Sequence, residues 1–121
     1  MSLSAQILIA IVACLHLGFL ILEMFFWNKP LGRKIFGLKE DFASKSKTLA
    51  ANQGLYNGFL AAGLIWGLFP VGATGMNTPI ATFFLTCVII AGLYGALTVS
   101  KTILFIQAVP AIIALGMLWI F

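Results

Sequence analysis

The sequence predicts an all-α membrane protein, a bundle of four transmembrane helices with both termini outside the cytoplasm. Three observations lead to that reading. Of 121 residues, 62% are hydrophobic and only 8% are charged, whereas a soluble domain of this size carries about a quarter charged residues to keep its surface wet. The apolar residues fall into four continuous runs, each near the ~20 residues that a helix needs to cross a ~30 Å hydrocarbon core. Six of the seven basic residues lie between Lys29 and Lys47, which is how charge is placed beside a membrane.

The first run covers residues 3–27. It has no basic leading segment and no cleavage site followed by a polar chain, so it reads as a retained helix and not as a signal peptide. The second covers residues 48–69 and closes at Pro70. Gly72, Gly75 and Asn77 supply turn chemistry before the third run, residues 79–100, which tolerates a proline in its first turn. Lys101 marks the next turn, and the fourth run covers residues 102–121. The whole chain reads as a single membrane domain, 1–121. Strands of a membrane barrel would alternate apolar and polar residues, and these runs do not.

Orientation follows from the same charges. The first link holds six basic residues against Glu40 and Asp41, the third holds Lys101, and the second link carries no charged side chain. The excess of Lys and Arg places links one and three in the cytoplasm. In the basic link, residues 29–47, the apolar Leu31, Ile35, Leu38 and Phe42 recur at intervals of four, three and four. That spacing predicts an amphipathic interfacial helix with Arg33, Lys34, Lys39 and Glu40 among its charged residues, either a connector that only sets topology or a gate or contact for anionic lipids. Gly32 and Gly37 weaken it as one regular helix. Nothing in the basic segment resembles a nucleic-acid module, so nucleic acid is not an expected partner.

The polar residues inside the runs share a depth. At ~1.5 Å per residue, Glu23 lies roughly 6 Å and His16 roughly 16 Å from the cytoplasmic end of the first helix. On the same scale Asn52 and Gln53 lie roughly 6–8 Å deep, Tyr56 and Asn57 roughly 12–14 Å, Tyr94 about 9 Å and Gln107 about 8 Å. Unpaired polar groups in hydrocarbon are costly, so these side chains are expected to point inward, with Glu23, Asn52, Gln53, Tyr56, Asn57, Tyr94 and Gln107 lining one ligand-binding pocket in the cytoplasmic half and His16 above it. The pairs Gly54/Gly58 and Gly63/Gly67, with Gly92 and Gly95, would let helices approach closely there. His16 and Glu23 share a stripe two turns apart, too far for direct contact in a regular helix.

A carboxyl group at such a depth suits three roles. It exchanges a proton or holds a cation in a binding or transport protein; with His16 it serves as acid or base in an intramembrane enzyme acting on a small or lipid-soluble substrate; or it ties helices together in a scaffold or accessory subunit. Glu23 and His16 are the candidate catalytic residues under the second role and the weak candidate metal ligands, since two ligands seven apart do not chelate one ion unaided. Cys14 and Cys87 lie in apolar runs and read as buried small hydrophobes, with an interhelical disulfide as the alternative. No phosphate loop, zinc motif or nucleophile elbow occurs, and no cofactor is expected.

The blocks HLGFLILEMFFW (His16 to Trp27) and ANQGLYNGFLAAGLIWG, with the intervening Phe-Gly-Leu of the basic link, resemble the DUF1304 family of small bacterial integral membrane proteins. The resemblance runs along nearly the whole chain and implies a four-span architecture. It implies no mechanism. The leading expectation is therefore a membrane protein that binds, and moves, a small polar or cationic solute through a pocket centred on Glu23, and four helices being few for such a path, it is expected to work as a homodimer.

Overall fold

The computed structural model describes residues 1–121 and contains helices and turns with no strand. Five helices follow one another: α1 (Leu3–Phe25), α2 (Pro30–Phe36), α3 (Glu40–Leu68), α4 (Asn77–Thr98) and α5 (Lys101–Ile120). Three of them, α1, α4 and α5, are both long and apolar enough to cross a membrane. α3 is the longest, at 29 residues, or about 43 Å at ~1.5 Å per residue. Its composition sets it apart: charged residues fill its first two turns, and Asn52, Gln53 and Asn57 dilute the apolar stretch that follows.

Chain punctuation comes from a few residues. Pro30 sits in the first turn of α2, where its missing N–H costs nothing. Gly37 ends that helix in the left-handed region, at φ 66°, and its N–H donates to the Arg33 carbonyl. The expected single interfacial helix is therefore broken in two: Leu31 and Ile35 lie on α2, Leu38 in the turn, and Phe42 already on α3. α3 starts at Glu40 and not near residue 48, because Glu40 and Asp41 favour a helix N-terminus and nothing after them breaks the helix. Asn77 caps the other end, its side-chain amide donating to the Gly67 and Leu68 carbonyls at 3.0 and 3.3 Å. In α5 the backbone widens into a π turn at Leu104–Ala108. Pro110 explains its place, since proline has no N–H to donate to the carbonyl of residue 106 in a regular ladder.

The chain divides into two compact units, Met1–Leu15 with Leu60–Phe121, and His16–Phe59. The first has a core of small and branched side chains: Ala5, Ile9, Val12 and Ala13 from α1, Leu64 from α3, Ala81, Leu85 and Val88 from α4, and Ala111, Ala114 and Leu118 from α5. In lipid, helices gain little from hiding apolar surface and associate through close packing. Gly67 and Gly92 provide it. A Cβ at Gly67 would lie 3.1 Å from the Ala81 nitrogen, and one at Gly92 2.8 Å from the Ala108 nitrogen. Large apolar side chains such as Leu3, Phe83, Leu97 and Phe105 face outward, the arrangement expected where the solvent is lipid. A groove of about 290 Å³ between Trp66, Met76, Pro79, Ile80, Phe83 and Phe84 is almost wholly apolar. Cys14 and Cys87 are both free, and Cys14 is exposed, not buried.

The second unit comprises the last turns of α1, all of α2 and α3 as far as Phe59. Trp27 organises its link. The indole N–H donates to the Ser46 hydroxyl at 3.0 Å, that hydroxyl donates to the Phe42 carbonyl at 2.7 Å, and the indole ring lies 4.9 Å from the Phe36 ring.

The packing of α4 on α5 makes a direct prediction. Gly92→Val forces the Ala108 backbone aside and should cost about 1–3 kcal/mol, read as a lower thermal midpoint of the purified protein. Gly18→Ala, which places a methyl in open space, should leave the midpoint unchanged or raise it slightly.

Candidate functional site

The site is built on a close approach of two helices within the second unit. Gly54 and Gly58 present a flat strip of α3 to α1. A Cβ at Gly54 would stand 2.8 Å from Met24 Cγ, 3.0 Å from Glu23 Cβ and 3.2 Å from the Leu20 carbonyl oxygen; at Gly58 it would stand 2.6 Å from Leu20 Cδ1. Only residues without a side chain leave that space. Gln53 and Asn57, one turn apart on the same helix, flank Gly54 and reach the carboxylate that the approach delivers.

Glu23 accepts two hydrogen bonds. The Gln53 amide nitrogen donates to Oε2 and the Asn57 amide nitrogen to Oε1, each at 2.5 Å. Glu23 is 3% exposed and Asn57 9%, while the Gln53 side chain lies at the exposed edge of the pair. Both partners are neutral. The ion pairs of this unit lie elsewhere, between Arg33 and Glu40 at 3.8 Å and between Lys45 and Asp41 at 3.1 Å. The carboxylate is thus hydrogen-bonded but not neutralised.

The chemistry of the arrangement follows from donor counting. An ionised carboxylate only accepts, and two amide N–H groups suit it. A protonated carboxyl must donate once, so one amide then has to offer its oxygen instead. Gln53, at the exposed edge, is free to turn; Asn57 is confined. A cation would be met by the same rearrangement, with Glu23 and the amide oxygens forming a set of hard oxygen ligands. The structure holds no group of three His, Cys, Asp or Glu side chains suited to a metal ion.

The remaining expected site residues go different ways. His16 is fully buried, its ring edge-to-face with Phe19 at 5.3 Å. Asn52 and Tyr56 are exposed, contrary to the inward placement expected of them. The reason is helical phase: Ala50, Gly54, Asn57 and Ala61 fix the packed face of α3, and Asn52 and Tyr56 fall on its opposite side. In the other unit Tyr94 is 69% exposed and Gln107 is half-buried in the π turn. Within the second unit the carboxylate–amide cluster brings together Glu23, Gln53 and Asn57. Sequence reasoning missed Trp27 and Ser46, whose bond ties the end of α1 to α3. The only signal was their common place at the membrane boundary.

Residues 10–119 match a family described as a protein of unknown function, DUF1304. The chain belongs to that family. Every residue of the carboxylate–amide cluster lies inside the matched region. This DUF1304 chain is also 34% identical over 117 residues to the uncharacterized protein YpaA of Lactococcus lactis subsp. lactis (strain IL1403), covering 95% of this chain and 96% of that one. No solved structure matches it.

The two amides should differ in weight. Asn57→Ala strands a buried carboxylate oxygen and should cost about 1–3 kcal/mol of stability, measured as the shift in thermal midpoint. Gln53→Ala, at an exposed position, lets water replace the lost donor and should cost clearly less.

Proposed function

We propose that this DUF1304 protein spans the bacterial cytoplasmic membrane four times and binds a small cationic or polar solute, or a proton, at Glu23. Both termini lie outside, and the basic link lies in the cytoplasm. The fourth span is the part of α3 beyond Lys47. Residues 48–68 carry no charged side chain and extend about 31 Å at ~1.5 Å per residue, enough for the hydrocarbon core. Its amides lower its apolarity, and the cluster gives two of them a partner.

One observation carries the reading: Glu23 is buried in a membrane-length helix with only neutral partners. Desolvating an ionised carboxylate without a counter-charge is far more costly than two amide hydrogen bonds recover. A site of this kind therefore calls for a proton or a cation from outside the protein. A glutamine at position 23 would tie the helices with no such cost. Transport follows if the amides release the ligand to both sides, and a homodimer then supplies the further helices that a path requires. The exposed face of α3, with Leu49, Asn52, Tyr56 and Phe59, supports pairing with a second copy, since its polar groups need a partner in lipid.

A second reading has its own support. Both carboxyl oxygens of Glu23 are satisfied within the protein, as in a scaffold whose polar contact sets helix register. Reconstitution into liposomes separates the two. With a potassium gradient and a trapped pH dye, proton or cation flux should appear in the parent protein and fall to background in Glu23→Gln. Flux unchanged by that substitution removes the proposed role, and absence of flux in both, with equal stability, favours the scaffold. Orientation has a separate check: an alkaline phosphatase fused to the C-terminus should be active, and a fluorescent protein fused there in the same way should stay dark.

A further inference from the structure

The link between α1 and α3 is built as a firm surface and not as a tether. Gly32 is buried against the Phe26 carbonyl, so closely that no side chain fits. Trp27 packs on Phe36 and bonds to Ser46, and Gly37 turns the chain directly into α3. On this frame Lys29, Lys34, Lys39 and Lys47 stand exposed, outside both ion pairs of the region. Between them Leu31, Ile35, Phe36 and Phe42 are exposed as well.

Two kinds of surface are thus interleaved, and each restricts the partner. Four unpaired ammonium groups call for anions. A nucleic acid or an acidic peptide would meet them but leave the apolar side chains in water. A neutral lipid would cover the apolar side chains and leave the charges unmet. The link follows a helix of membrane-spanning length and composition, so the bilayer surface is the body beside it. Leu31, Lys34 and Ile35 share one face of α2 by their three- and four-residue spacing, and Lys29 and Lys39 flank that helix.

We propose that this link is a binding surface for anionic phospholipid headgroups, with Lys29, Lys34 and Lys39 contacting the phosphate and Leu31, Ile35 and Phe42 entering the acyl boundary. Each lysine beside an anionic surface contributes roughly fivefold to the attraction, so three lysines give a preference of tenfold or more for anionic over zwitterionic lipid.

Trp27 is a reporter already in place. In a Trp66→Phe, Trp119→Phe background it is the one remaining tryptophan, and lipids brominated near the headgroup quench its fluorescence when bound at the link. In mixed bilayers, brominated phosphatidylglycerol should out-compete brominated phosphatidylcholine by at least tenfold at low salt. The preference should shrink as salt rises, approach unity in the triple variant Lys29→Gln, Lys34→Gln, Lys39→Gln, and persist when the same three positions carry arginine. Equal quenching by the two lipids overturns the proposal. So does a preference that survives in the glutamine variant with its helical circular dichroism intact. If that variant does not fold, the parent protein decides: a preference insensitive to salt overturns the proposal equally.

Discussion

A carboxylate cannot lie in hydrocarbon without partners, and the second unit of this protein is arranged around that constraint. Glu23 reaches Gln53 and Asn57 only because Gly54 and Gly58 let α1 and α3 come together. Remove the glycines and the amides are held away; remove the amides and the carboxylate is stranded. The position of α3 along its own axis is also tied to the site. Its charged first turns run into the amide-bearing segment without a break, so the same helix supplies the charges of the link and the two amide donors.

The first unit solves a different problem. It has no buried acid, and its helices are held by alanines and glycines that bring backbones within contact distance. Hydrophobic burial does little for two helices already in lipid, so the quality of fit carries the association. The contrast has a consequence for what each unit tolerates. A misplaced methyl disturbs the first; a misplaced hydrogen-bond donor disturbs the second. The π turn near Pro110 is the one irregularity in that otherwise regular packing, and it is fixed by the proline's missing N–H.

Much of the fold was legible in the residues. Long apolar runs gave α1, α4 and α5, and turn residues from Gly72 to Asn77 marked the break before α4. The link was read less well. Leu31, Ile35, Leu38 and Phe42 kept helical spacing across Gly37, but a left-handed glycine outweighs periodicity, and the spacing straddled two helices. At the site, sequence identified Glu23, Gln53 and Asn57 and the glycines beside them. It could not separate these from Asn52 and Tyr56, because polarity and depth are the same for both sets. What separates them is which face of α3 is packed, and that is decided by where the glycines meet α1. The Trp27–Ser46 bond was invisible because it depends on α3 beginning at Glu40, a turn and a half before Ser46.

The central claim is that Glu23 needs a proton or a cation because its protein partners are neutral. Difference infrared spectroscopy of the protein in bilayers, compared with Glu23→Gln, tests it most directly. The claim predicts a protonated carboxyl band that belongs to Glu23 and is replaced by carboxylate bands when pH is raised or a binding cation is supplied, with matching changes in the amide bands of Gln53 or Asn57. A Glu23 carboxylate that stays ionised throughout, with no cation present and no response to one, would contradict it.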